Sequence, residues 1–329
     1  MAAICSEGIT EDEAIIATNN DATSCKRYAT EKGYWRDEFV KHFCKKAERK
    51  SPEISRGYYA RVTALHNLVT QFVSLTKTAG LKSQVISLGA GFDTTYWRLC
   101  SVGLQPTNYF EVDLATVTSK KCQYIKTKLP LLDALQGSHD PLFGVDEINS
   151  THYHLVAGDL RDTEQLDRKL LAAGVDKKLP TVFITECVLV YIEPKLSSQL
   201  IEWAGKHFST SMFLNYEPFN ANDTFGQVMK KNIKARGCSL LGIDACPDLE
   251  SQQRRYLNNG WSASWAVDMD TVYQQLLPAD EISRVERLEF LDEGDLLTQL
   301  LRHYCISVGY NDKNDVGLAG VNLHGTAHR

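Results

Sequence analysis

The 329-residue chain is short of the features that would assign it at a glance. It has no long basic run, and its 36 Lys and Arg are outnumbered by 41 Asp and Glu, for a formal charge of −5. That balance disfavours nucleic acid or an anionic membrane surface as the partner. No Cys-x-x-Cys pair occurs among the nine cysteines (5, 25, 44, 100, 122, 187, 238, 246 and 305). Their scatter fits reduced thiols and small core hydrophobes better than disulfides or a zinc site, and no metal is expected. No Lys or Arg precedes Lys26, and the start carries Glu7, Glu11, Asp12 and Glu13, so a secretory n-region is missing. No apolar run approaches the length of a membrane span. The expected compartment is the cytosol, with the nucleus also open, and a monomer is expected. Internal repeats and a convincing domain linker are absent too.

What is present is organised around Gln84 to Thr95, Gln-Val-Ile-Ser-Leu-Gly-Ala-Gly-Phe-Asp-Thr-Thr. Val85, Ile86 and Leu88 read as a buried strand that breaks at Gly89 and Gly91, after which Asp93 to Leu99 can open a helix. Glycines there permit a positive φ and let a ligand lie against the backbone. An ordinary strand-to-helix turn with no ligand fits the same residues. Four more apolar segments follow, Asn108 to Asp113, His154 to Asp159, Thr181 to Glu186 and Ser211 to Glu217, and helical stretches between them imply parallel strands with crossover helices. Tyr59, Val62, Leu65, Val69, Phe72 and Leu75 mark an amphipathic helix entered at Ser51-Pro52 that covers one face of the sheet. Helices are also expected at Asn222 to Arg236, Leu249 to Asn258 and Asp292 to His303, and late strands at Ser283 to Phe290 and Tyr304 to Tyr310. Residues 1–22 read as a mobile acidic tail, Ser24 to Lys50 as short helices, Pro130 to His152 as a loop-rich insertion, and residues 311–329 as a second mobile tail.

Acids close three of these strands. Asp113 falls about twenty residues beyond the glycines, where a ribose diol is expected, although Asp is also favoured as a helix N-cap. Asp159 could accept an adenine amino group while the Leu160 amide meets a ring nitrogen, or it could be a turn residue. Glu186 interrupts the apolar run Val182 to Tyr191 and calls for a cationic partner, either a ligand's or that of a structural ion pair. A nicotinamide dehydrogenase would show the fuller Gly-x-Gly-x-x-Gly, but the position three beyond Gly91 is Thr94. That departure favours S-adenosylmethionine, which has no pyrophosphate to cradle.

Leu88 to Leu99 and Tyr109-Phe110-Glu111-Val112-Asp113 resemble the leucine carboxyl methyltransferases. So do Cys25-Lys26-Arg27-Tyr28, Gly57 to Val62, Thr185 to Tyr191 and Leu288 to Glu293. The resemblance spans roughly Cys25 to Tyr310 in the family's order. It implies a class I S-adenosylmethionine-dependent methyltransferase fold, a Rossmann-like seven-stranded sheet with its last strand antiparallel, as a single domain over 23–310 under an N-terminal helical cover. It implies methylation of the C-terminal leucine α-carboxyl of type 2A protein phosphatase catalytic subunits, recognised by the tail and by the folded surface. By resemblance Lys26, Arg61, Gly89, Asp113, Asp159, Leu160 and Glu186 contact the cofactor. Arg61 and Tyr191 would position the reacting groups, with core packing the plainer role for Tyr191. A carboxylate nucleophile, with an unperturbed pKa near ~3.5, needs no general base. Rival readings are methylation of a small molecule or a modified tRNA base, whose enzymes carry a large additional domain, and a catalytically silent binding subunit.

Overall fold

The structure is a computed structural model and describes residues 10–323. Nine strands form one mixed sheet in the order β3-β4-β5-β2-β1-β6-β7-β9-β8. They are β1 (Gln84–Leu88), β2 (Asn108–Asp113), β3 (Leu142–Phe143), β4 (Ile148–Asn149), β5 (Tyr153–Ala157), β6 (Thr181–Glu186), β7 (Thr210–Pro218), β8 (Ala263–Asp268) and β9 (Tyr304–Asp312). The run β5-β2-β1-β6-β7 is parallel. The chain's last strand, β9, inserts antiparallel between β7 and β8. Without the two-residue β3 and β4, a hairpin that the 130–152 insertion adds to the edge of β5, this is the expected seven-stranded class I methyltransferase sheet.

Period-2 alternation lets one strand serve two cores. Val85, Tyr109, Val182, Ile184, Met212 and Leu214 join the cluster that includes Leu65, Val69 and Phe72, whereas Ile86, Leu88, Phe110, Phe183 and Phe213 join Leu200, Ile201 and Trp203 on the opposite face. Four helices set up the site: α1 (Glu11–Glu31), α2 (Pro52–Thr78), α3 (Thr95–Ser101) and α4 (Ala115–Thr127). Helix α2 starts at Pro52, where the missing amide costs nothing. Its three-and-four spacing buries Tyr59, Leu65, Val69 and Phe72, as expected.

Three expectations are corrected. Residues 11–22 are no tail but the first half of α1, closed by a capping box in which Thr10 Oγ1 accepts from the Glu13 amide and Glu13 Oε2 accepts from the Thr10 amide. Apart from Tyr28, the helix buries small residues, Ala14, Thr23, Ser24 and Ala29, and only Ala14 falls in the half read as a tail. Packing through small side chains leaves little apolar signal in the composition, which is why the segment reads as solvated; residues 1–9 lie outside those described. At the other end, 311–323 is packed rather than mobile. Asp312 accepts from the amides of Val316, Gly317 and Leu318 at 2.8–2.9 Å, and Leu318, Val321 and Leu323 are buried. Residues 324–329 of that expected tail lie outside the described set. Thirdly, Ser283 to Phe290 is not a strand: a helix spans Ala279–Glu286, and Ile282, Val285, Leu288 and Leu291 reach the core at a spacing of three. The penultimate strand is instead β8, whose Trp265 and Val267 pack on the core with only Ala266 between them.

Beneath the strand ends, β2 holds an ion pair with no exposure at either side chain. Lys121 of α4 lies 2.5 Å from Glu111 and also donates to the Asp93 carbonyl, and the Tyr153 hydroxyl donates to Glu111 at 2.5 Å. Burial pushes the Glu111 carboxyl up to about 7 against the pull of Lys121 and Tyr153. Lys121→Met is expected to lower stability by about 3–5 kcal/mol, because it strands a buried carboxylate. Adding Glu111→Gln to the same chain should recover most of that loss, and urea unfolding of the single and double variants measures both effects.

Candidate active site

The carboxyl ends of β1, β2, β5 and β6 open into a cavity of about 350 Å³. It lies where the strand order reverses around β1, the place where open α/β sheets take their ligands. The glycine turn lines it. Gly89 and Gly91 have φ of +68° and +49°, and a Cβ would strike Val188 at the first and Asn19 at the second. Only a bare backbone lets the end of β6 and helix α1 close on the turn from two sides. The Phe92 amide donates to Asn19 Oδ1 at 3.0 Å, so α1 covers the turn directly.

Asp113 is not the cap of α4; Leu114 holds that position. Its Oδ2 accepts from the Gly91 amide and its Oδ1 from the Leu114 amide, each at 2.7 Å. Burial pushes this carboxyl up, while the two amides and Lys121 act the other way. One amide per oxygen leaves each oxygen with acceptor capacity, which suits two adjacent hydroxyls. Asp159 is more committed. Arg161 grips it through Nε and Nη2 at 2.8–3.0 Å, and the same guanidinium reaches Asp12 of α1 at 2.9–3.0 Å. The Leu160 amide next to it finds no acceptor among the described residues.

Glu186 ends β6 between two cations brought from outside the sheet. Lys26 of α1 lies 2.9 Å from Oε1 and donates to Oε2 at 3.1 Å, and Arg61 of α2 donates to Oε1 through Nε. Lys26 also faces Asp93 at 3.5 Å. Burial alone would raise the Glu186 carboxyl, but Arg61 and Lys26 outweigh it and hold it below its ordinary value. In Asp93 the same contest, with Lys26, Lys121 and the Thr95 amide on the lowering side, ends at about 2. Two cations against two carboxylates make a neutral cluster with hydrogen-bonding capacity to spare, suited to a zwitterionic amino-acid end. Arg61 is further held between aromatic faces, its guanidinium 5.2 Å from the Tyr58 ring centre and 4.7 Å from that of Tyr216. Cys187, straight after Glu186, takes φ +57°, a conformation costing about 1–3 kcal/mol in a non-glycine residue, and its amide bond to the Tyr216 carbonyl at 2.7 Å helps hold it there. That bend turns the chain into Leu189–Tyr191, where Tyr191 both lines the cavity and packs against Val190, Ala221 and Ile243.

All eight residues expected from the sequence, Lys26, Arg61, Gly89, Asp113, Asp159, Leu160, Glu186 and Tyr191, thus line one cavity. The leucine carboxyl methyltransferase model matches residues 14–205, which contain every one of them. The chain belongs to the leucine carboxyl methyltransferase family. It is similar to leucine carboxyl methyltransferase 1 of Rattus norvegicus, 42% identical over 94% of this chain and 93% of that one. It is also 36% identical to tRNA wybutosine-synthesizing protein 4 of Homo sapiens over 89% of this chain but 43% of that one. A solved structure from Thermobifida fusca YX shares the fold with a TM-score of 0.50 and 14% identity, covering 83% of this chain and 92% of that one. This family member is a carboxyl methyltransferase, with S-adenosylmethionine as its methyl donor.

Sequence reasoning missed Asp93, Asn19, Arg161, Tyr58 and Tyr216. Asp93 had a signal, since it follows the glycine turn immediately. Asn19 sat in a segment read as tail, and nothing local distinguishes Arg161 or the tyrosines from surface or core.

Two outcomes are expected. Gly89→Ala should weaken S-adenosylmethionine binding and stability together, read by calorimetry and urea unfolding, because it adds both a strained φ and a clash with Val188. The Asp93 carboxyl lies lower in the folded state than its ordinary value of 3.8, so its stabilising contribution is complete above the unfolded value and is lost as pH falls toward about 2. Asp93→Asn should therefore flatten the stability profile between about pH 4 and pH 2. An unchanged profile would remove Asp93 from the cluster's electrostatics.

Proposed function

We propose that the chain methylates the α-carboxylate of the C-terminal leucine of type 2A protein phosphatase catalytic subunits, giving a methyl ester and S-adenosylhomocysteine. The observation that carries this reading is that the cavity's carboxylates are all held by cations or backbone amides and no free base stands among them. Among the described residues no histidine lines the cavity, burial pushes the Cys187 thiol up to about 11 and the Tyr191 phenol higher still, and Glu186 and Asp93 are engaged by cations. Such a site suits a nucleophile that arrives already ionised, as a terminal carboxylate does.

When bound, the cofactor supplies a sulfonium methyl for in-line attack by a carboxylate oxygen. The chain's residues do the holding. Glu186 would accept from the α-amino group, Arg61 and Lys26 would hold the α-carboxylate, Asp113 would take the ribose diol, and Asp159 with the Leu160 amide the adenine edge. The Arg161 fork on Asp159 must share that carboxylate or turn outward for the last of these. Tyr191, and Tyr304 stacked on Tyr216 with ring centres 5.4 Å apart, stand at the same cavity and would bound the path of the incoming tail. Excluding water strengthens the approach of opposite charges, and fixing the oxygen in line supplies the entropic advantage.

The test is transfer of a labelled methyl to a phosphatase catalytic subunit. Mild base should release the label as methanol, and amidating the terminal carboxyl should abolish transfer. Replacing the terminal leucine with alanine should be milder, forfeiting about 1.5–3 kcal/mol of apolar burial at most. Base-stable label, or transfer to the amidated chain, would move the reading to N-methylation, including that of a modified tRNA base, or to a small-molecule substrate. Asp113→Ala should weaken cofactor binding by roughly 1–3 kcal/mol, since two hydroxyls lose an ionised acceptor. Glu186→Ala should cost more binding than Glu186→Gln, which keeps an acceptor. Calorimetry on the folded variants measures each.

A further inference from the structure

A second cavity, of about 500 Å³, is bounded by α2, α3, the segment 33–36 and residues 278–284. Its charges do not balance. Arg36, Arg98 and Arg284 line it against the single carboxylate of Glu281. Arg284 is spent: it bonds Glu281 and donates to the carbonyls of Gly33 and Tyr34 at 2.7 Å. Arg36 pairs with Glu38 at the surface. Arg98 of α3 is different. It is partly buried, its side chain donates no hydrogen bond among the described residues, and it feels Asp37 and Asp93 only from beyond ion-pair distance. Both acids are committed elsewhere, Asp37 to Thr94 Oγ1 and the amides of Phe39 and Val40, Asp93 to Lys26 and the Thr95 amide. Three lining residues carry buried polar atoms with no partner among the described residues: Tyr34 Oη, Trp35 Nε1 and His66 Nδ1. Burial and the charge of Arg98 push His66 down to about 3, so it stands there neutral.

The Arg98 guanidinium is left to solvent alone, and each buried orphaned donor costs its lost hydration. One ligand type relieves all of them. We infer that this cavity is a binding site for a small oxyanion, a free phosphate or carboxylate, held by the Arg98 fork with the Trp35 indole N–H and the His66 ring as secondary donors. The guanidinium's planar fork matches either oxyanion in bidentate geometry. The site is separate from methyl transfer but adjoins it electrostatically. Arg98 is five residues beyond Asp93 on the same turn-to-helix segment, and Asp93 faces the lysine that grips Glu186.

The experiment is calorimetric titration of the full chain with inorganic phosphate and, in a separate arm, with acetate and citrate. S-adenosylhomocysteine is held at saturation so that Lys26 and Arg61 are not available to the probe. Saturable binding of one anion per chain is expected, weakened about tenfold or more in Arg98→Gln, as loss of a charged bidentate donor implies. If that variant does not fold, Trp35→Phe removes a single N–H and should weaken the same anion by a smaller factor. In thermal unfolding the bound anion should raise the Tm of the wild type and leave that of Arg98→Gln unmoved. Tighter binding of phosphate or of carboxylate identifies the source. Binding that is absent under S-adenosylhomocysteine, or equal in wild type, Arg98→Gln and Trp35→Phe, overturns the inference.

Discussion

Glu186 is a carboxylate at the end of a central strand, where water is largely excluded, and an unpaired charge there would be untenable. Its partners do not come from the sheet, where the end of β2 contributes another acid, Asp113. They come from Lys26 on α1 and Arg61 on α2, two helices that otherwise lie outside the sheet. The need to neutralise one buried carboxylate therefore fixes where both helices sit, and with them the walls of the cavity. The same cluster gives the cavity its chemical character. A neutral set of two cations and two anions is ready to exchange protein partners for a ligand's amino and carboxylate groups, with no net charge to be compensated by solvent.

Backbone conformation supplies the second half of the site. Gly89 and Gly91 bend the chain after β1, Cys187 bends it after β6, and both bends line the cavity. Each glycine is covered closely: Val188, just past the β6 bend, fills the space above Gly89, and Asn19 of α1 that above Gly91. The absence of two side chains is thus as much a part of the construction as the presence of the acids. Asp113 links the halves, since the amide it accepts from belongs to the glycine turn while its own strand is the next one in the sheet.

Helix α1 ties the site to the rest of the molecule through Lys26 at the clamp, Asn19 at the turn and Asp12 on Arg161, which in turn holds Asp159. These contacts are polar and partly open to solvent, in contrast to the fully enclosed Glu111–Lys121 pair beneath them. The cover is therefore made from interactions that water can replace, and the floor from one that it cannot. That division suits a site whose ligand must enter and leave without disturbing the sheet.

The sequence by itself determined the parallel strands, the glycine turn, the three strand-end acids and the covering helix α2. Each rests on local periodicity or on residue types that only one backbone shape accommodates. The motifs that resemble the leucine carboxyl methyltransferases carried Lys26, Arg61 and Tyr191, which composition alone could not single out. Tertiary structure decided the rest. Helix α1 carries its signal in small buried residues and polar contacts with distant strands, so it looks like a tail until the sheet is present. Ser283 to Phe290 reads as a strand until the spacing of three in Ile282, Val285, Leu288 and Leu291 meets a core, and β8 is too weakly apolar to stand out alone. Asp159 seemed free because its partner, Arg161, is itself positioned by Asp12 across 149 residues. Arg98 shows the limit most plainly: that a guanidinium lacks an acceptor is a property of everything folded around it, and no stretch of sequence contains it.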